Sequence, residues 1–244
     1  MVSSRFKRNY LFSLKERKDF LLSTSVMTLV FFFFFAKVSW GQEEIAVGFI
    51  ISKLVMLWLI TAVVLFIGIY VAKRFAIIKG YTAKYEAWRN GLLIGFVISF
   101  ISYGLLRLLF PGIITIKRIE RHRHGKFFPG ENKRHISWTL MSTLFSFFLI
   151  TMFMHILYFI TNLEFFYYAM VIPAFIACFA TLPFNNNIGI HLYYTRKYWY
   201  FFFLFFAILL AVFVALKMFF AVLFAMLGMF IIYFLTKKIT SKLM

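Results

Sequence analysis

The chain has 244 residues, 63% of them hydrophobic, with a mean hydropathy of +0.88; a water-soluble fold of this size would leave too much of that apolar surface exposed, so a single soluble core is excluded. The formal net charge of +19 would suit nucleic acid, but the basic residues fall between apolar runs and not in a compact soluble module. Membrane lipids with anionic headgroups and the positive-inside rule account for them, and no nucleic-acid partner is expected.

Residues 1–19 read as a basic cytoplasmic arm with Arg5, Lys7, Arg8, Lys15, Arg17 and Lys18. A first span follows over about Phe20 to Ala36, apolar on every face and containing Phe31 to Phe35 in a row, as a helix in lipid should be. The start resembles a signal peptide, but "AKVSWGQEE" offers no small-x-small cleavage site, so the span is expected to be retained. Glu43 and Glu44 mark an acidic turn. The second apolar run, Ile45 to Ala72, exceeds the roughly 20 residues a bilayer needs, which lets Lys53 snorkel to the interface.

Lys73 to Asn90 read as a basic loop, and the apolar stretch 91–116 that follows is broken at Ser102, Tyr103 and Gly104, holds Arg107 and ends in Phe110, Pro111 and Gly112. A second basic loop, 117–135, carries seven lysines and arginines. Apolar runs at about 136–161 and 165–184 flank a tight turn at Asn162, and a polar segment, 185–197, leads to the last runs at about 199–216 and 218–235. A short basic tail, 237–244, closes the chain. Were 91–116 to cross the membrane, the two most basic internal loops would lie on opposite sides. Re-entry from one side instead gathers 23 of the 27 basic residues on the cytoplasmic face. The expectation is an all-α polytopic membrane protein of about six transmembrane helices plus one re-entrant hairpin, a single integral domain over 20–236 in the cell membrane, with both termini cytoplasmic.

Cys178 stands alone and can form no intrachain disulfide. His122 and His124, with Glu120 and His135, sit in a loop whose cations repel a metal. His155, inside an apolar run, is of the type that faces a protein interior, with Thr151 one turn away as a hydrogen-bond partner. No phosphate-binding glycine motif or Ser/His/Asp arrangement is evident.

Four stretches, "LFSLKERKDFLLSTSVMTLVF", "GYTAKYEAWRNGLLIGF", "FPGIITI" and "LPFNNNIGIHLYY", resemble in order and spacing an archaeal branch of the site-2 protease family of intramembrane zinc metallopeptidases. The resemblance implies a His-Glu-x-x-His helix ahead of "AIIKGYTAKYEAW", whose histidines bind zinc and whose glutamate activates water. Counting back, the histidine positions fall on Gly68 and Ala72 and the glutamate position on Ile69. The third ligand, an aspartate in the family, falls on Ile188, beside Asn187, Gly189 and His191. A Gly-Pro-x-x-Asn motif of the family is missing after Ile136. The resemblance therefore implies a site-2-protease-like core that has lost its chemistry: no catalytic residue, no zinc, and a cleft bordered by Asn187, Gly189, His191, Arg107, Pro111, Gly112 and His155. The expected function is to bind or scaffold another membrane protein without cleaving it. A transporter or channel-like protein using Arg107, His155 and Lys53, a structural subunit of a membrane complex, and an active metalloprotease are the alternatives.

Overall fold

The structure is a computed structural model and describes residues 12–36, 47–102, 104–106, 108–118, 133–184 and 187–216. Its elements, in chain order, are α1 (Leu14–Ala36), α2 (Val47–Ile78), β1 (Tyr81–Glu86), α3 (Arg89–Ile101), β2 (Ile113–Arg118), α4 (Lys133–Thr161), α5 (Glu164–Thr181), α6 (Ile188–Thr195) and α7 (Lys197–Ala215). Five helices, α1, α2, α4, α5 and α7, are long and apolar enough to cross a membrane. The chain is thus a mostly helical, membrane-embedded protein. The expected sixth run, 218–235, lies outside the described residues, as do Arg107, the acidic turn at Glu43 and Glu44, and the histidines at 122 and 124.

The helices run back and forth between two ends. Glu16, near the start of α1, meets Lys73, near the end of α2. At the opposite end Phe35 of α1 and Lys53 of α2 both lie against Tyr168, near the start of α5. Helix α4 begins beside Tyr81, which stacks near His135, and turns into α5 at Asn162, held at φ 53°. The buried core is a continuous apolar cluster with Phe31, Leu65, Leu144, Phe148, Met170 and Ile176 near its centre. Where polar residues of α4 enter it, their hydroxyls are satisfied by their own helix: Thr139, Thr143 and Thr151 donate to the carbonyls of His135, Thr139 and Phe147. That local pairing lets a serine- and threonine-rich helix sit in an apolar environment without orphaned donors.

Two segments differ from the sequence expectation. Residues 14–19 belong to α1 and not to an exposed arm, with Glu16 and Asp19 buried. The stretch 73–90 is not a loop: α2 continues to Ile78, and Tyr81–Glu86 then pairs antiparallel with Ile113–Arg118, from Tyr81 opposite Arg118 to Glu86 opposite Ile113. The physical reason is local. "YTAKYE" alternates a buried Tyr81, Ala83 and Tyr85 with the more exposed Thr82, Lys84 and Glu86, the period of two that a half-buried strand requires.

Between the two strands the chain makes a hairpin unlike a pair of helices. Helix α3, 13 residues and about 20 Å long, runs beside α1 from Arg89, near Asp19, to Phe100, against Phe33. The return is non-helical: Leu108 passes Gly95, and Phe110 packs on Trp88 at 4.9 Å. A side chain at Gly95 would overlap the Leu108 carbonyl, so glycine permits this close return. Residues 109–114 are buried throughout. Gly104, at φ +77°, forms the bend; a Cβ there would stand 2.6 Å from the Phe33 carbonyl oxygen.

Gly104→Ala therefore meets both a left-handed backbone and a backbone clash, and should lower stability by about 2 kcal/mol. Gly48→Ala, in an exposed helical position with nothing within 4 Å, should be neutral or stabilising by up to about 1 kcal/mol. Thermal unfolding of the two variants in detergent micelles checks the contrast in sign.

Candidate functional site

The positions that the resemblance assigns to a zinc centre are packed with apolar groups. Ile69 and Ala72 are buried, and Gly68 faces Phe147 of α4 so closely that a Cβ would overlap its ring. Ile188 is buried at the start of α6, and Gly189 lies under the carbonyls of Thr181 and Leu182. Asn187 precedes α6, fully buried, and donates through Nδ2 to the Phe179 carbonyl at 2.8 Å, so its amide ties the end of α5 to the start of α6. His191, one turn into α6, is held below the usual histidine range by partial desolvation. His155 is buried in α4, and the nearby Thr151 hydroxyl donates to Phe147. Helix α6 packs on α4, α5 and α7, whereas α2 packs on α1, α4, α5 and β1, so α4 and α5 are shared neighbours. None of Gly68, Ile69, Ala72 and Ile188 supplies a donor, and among the described residues no group of three His, Cys, Asp or Glu is placed to hold a metal. The residues do not fit zinc.

Pro111 and Gly112 lead elsewhere, to a polar knot that sequence reasoning missed. Its centre is Glu16. Ser13 and Glu16 form a reciprocal cap at the start of α1: the Glu16 amide donates to Ser13 Oγ at 3.2 Å, and the Ser13 amide donates to Glu16 Oε2 at 2.8 Å. This fixes the carboxylate so that Oε1 faces α2 and β1. There it accepts Lys73 Nζ at 2.8 Å and the Tyr85 amide at 3.1 Å. The paired side chains are 3% and 5% exposed, so this is a buried ion pair whose charges are covered by further hydrogen bonds. The Lys73 ammonium also lies 4.3 Å from the centre of the Phe12 ring, a cation–π contact that covers its other side.

Tyr85 carries the knot across to the hairpin. Its hydroxyl contacts the Pro111 carbonyl and stands 2.7 Å from Ser23 Oγ. A carbonyl can only accept, so the single phenol proton goes to Pro111 and Ser23 donates to the phenol oxygen. Burial, with Asp19 nearby, pushes the phenol well above its ordinary range and keeps it a neutral donor. Asp19 is buried one turn beyond Glu16 and lies 3.7 Å from Arg89 at the start of α3, while Lys15 and Glu86 stand 3.8 Å apart at the rim. Gly112, at φ +93°, lets the chain pass the Glu86 carbonyl on its way into β2. One cluster thus joins α1, α2, β1, the start of α3 and the return segment.

The sheet has two unequal edges. Because the Tyr85 amide points to Glu16, the pair of Tyr85 and Ile114 is a non-hydrogen-bonded one, and by alternation so is that of Ala83 and Ile116. The outer edge of β1 is therefore capped by a carboxylate. On β2 the amides of buried Ile114 and half-buried Ile116 turn away from β1, and among the described residues no third strand pairs with either strand. Comparison of the chain with protein-family models, with curated proteins and with solved structures finds no match in any of the three.

Lys73→Met leaves the Glu16 carboxylate buried and unpaired, which should cost about 3–5 kcal/mol. Adding Glu16→Gln, which keeps an acceptor for the Tyr85 amide without the charge, should restore more than half of that loss. Unfolding midpoints of the two single variants and the double variant test this coupling.

Proposed function

We propose that this protein is an inactive, site-2-protease-like membrane scaffold that holds an extended segment of another membrane protein without cutting it. The observation that carries the reading is the two-stranded sheet, with the Tyr85 amide of β1 held by Glu16 and no third strand beside β2 among the described residues. An exposed strand edge is a template for pairing with another chain, and main-chain bonds supply affinity with little demand on sequence. The absence of any ligand or base at Gly68, Ile69, Ala72 and Ile188 argues against hydrolysis by the family's mechanism.

The topology that goes with this reading has six spans and one re-entrant element, with both termini cytoplasmic in the cell membrane. Support comes from the hairpin of α3, which starts and returns beside the same two strands. Its non-helical limb is covered by protein, the condition under which such backbone is tolerated at membrane depth. Of the fifteen lysines and arginines among the described residues, only Lys53 lies at the end away from the sheet, and that asymmetry supports a cytoplasmic sheet end.

Ile116→Pro removes an outward amide of β2 while sparing the bonds to β1, so the protein should fold and lose capture of its membrane partner at least tenfold. Thr115→Pro, on the inward register, should instead unfold the hairpin. The measurement is photocrosslinking from position 117 in native membranes, followed by affinity purification and identification of the crosslinked membrane protein. Stoichiometric zinc in the purified protein, with chelator-sensitive cleavage of single-span substrates, would overturn the reading.

A further inference from the structure

One face of the two-stranded sheet is turned away from the helices. Residues directly opposite in an antiparallel pair point to the same side, and side chains along each strand alternate between sides. Thr82 lies opposite Lys117 and Lys84 opposite Thr115, so these four side chains share a face, while Tyr81, Ala83 and Tyr85 are buried on the other. Lys84 and Lys117 are exposed and the two threonines half-buried. Each threonine is tied across the sheet: Thr82 Oγ1 donates to the Lys117 carbonyl at 3.1 Å, and Thr115 Oγ1 to the Lys84 carbonyl at 3.2 Å. Those bonds use the hydroxyl protons, so the ammonium groups are the donors that the four residues offer outward.

Lys84 and Lys117 are diagonal neighbours in this register, a relation that puts residues about 7–8 Å apart. Among the described residues neither ammonium has an ion pair, and the acids at this end are committed elsewhere: Glu16 to Lys73, Asp19 to Arg89 and Glu86 to Lys15. Lys79, exposed just before the turn into β1, adds to the same charge. The face is therefore complementary to carboxylates that the described chain does not supply.

Composition selects a polypeptide over a leaflet as their source. Elements that lie on a bilayer carry aromatic or apolar residues at headgroup depth, whereas the tyrosines of β1 are turned inward and the four residues on the outer side are threonine and lysine. Spacing selects the conformation. Residues i and i+2 of an extended chain lie on one side about 6.6–6.8 Å apart, close to the separation of the two lysines.

We infer that Lys84 and Lys117 form a docking face for an acidic, extended polypeptide segment whose carboxylates stand two residues apart. Docking there reads side chains on the face of the sheet and needs no main-chain pairing at β2, so it stands apart from the capture proposed above.

The test is fluorescence anisotropy of dye-labelled peptides with the full chain in phosphatidylcholine nanodiscs. The probe is a peptide of four Thr-Glu repeats, and its comparison, four Thr-Thr-Glu repeats, has the same carboxylates out of step with the lysines. The wild type should bind the first at least threefold more tightly. Lys84→Gln/Lys117→Gln should weaken that binding at least fivefold, the loss of two exposed ion pairs, while the charge-matched control Arg74→Gln/Lys133→Gln should stay within twofold of wild type. Lys84→Arg/Lys117→Arg keeps both charges and should also stay within twofold, which separates loss of charge from loss of fold. Equal losses in the docking and control variants would mean diffuse attraction and overturn the inference, as would equal binding of the two peptides. Nanodiscs doped with phosphatidylglycerol, read by native mass spectrometry, cover the other source: loss of retained phosphatidylglycerol in the glutamine pair, with peptide binding unchanged, would assign the lysines to the leaflet and overturn it.

Discussion

The buried pair of Glu16 and Lys73 is the interaction on which the rest of the structure depends. Removing two charges from water costs several kcal/mol for each ion, and their attraction offsets this only when further hydrogen bonds cover the remaining lone pairs and protons. Here the cover comes from three places at once: Ser13 in the cap of α1, the Tyr85 amide and the Phe12 ring. Phe12 and Ser13 stand at the start of α1, and Tyr85 belongs to β1. The pair therefore sets the register of α1 against α2 and places β1 beside both, something a purely apolar contact, being non-directional, does not do.

From that anchor the hairpin follows by successive constraints. Tyr85 is placed by its amide on Glu16, its hydroxyl is then aimed at Pro111 and Ser23, and the return limb is held against α1. Gly95 allows the limb to touch α3, Gly104 turns it, and Phe110 closes it against Trp88 and Phe184. A non-helical segment buried among helices needs such support because its backbone cannot rely on water. The same contacts hold the Tyr85 amide on the Glu16 carboxylate, so the placing of β1 follows from the ion pair.

The sequence conveyed the helices well because their signal is long and apolar: five of the expected runs appear as helices long enough to cross a membrane. The turn at Asn162 and the break after Ile101 were also legible, the one from its polar residues between apolar runs and the other from Ser102 and Gly104. The polar knot was not read, although part of its signal was present. Ser13 and Glu16 have the spacing of a reciprocal cap, but they stand among Lys15, Arg17 and Lys18, and a dense run of charge reads as solvated. Lys73 closes an apolar run, where a lysine is ordinarily taken as the first residue in water. Its partner lies 57 positions earlier, and pairing over that distance is set by tertiary packing and carries no periodic signature. The strands were masked for a related reason, since Lys84, Lys117 and Arg118 gave their segments the look of basic loops even though the alternation of Tyr81, Ala83 and Tyr85 was present.

The packing of α2 also bears on where a ligand could be held. A glycine in a long apolar helix could leave a hollow, and a hollow beside Gly68 would be the natural place to seek a bound segment. Instead the absent side chain at Gly68 is what admits the Phe147 ring, and Ile69 and Ala72 are closed from solvent beside it. Small residues in a membrane helix serve this purpose, letting a neighbour approach and make close dispersion contacts. The centre of α2 therefore acts as a packing surface for α4. Its end instead carries the polar anchor, where Lys73 holds Glu16 and Glu16 holds the Tyr85 amide of β1.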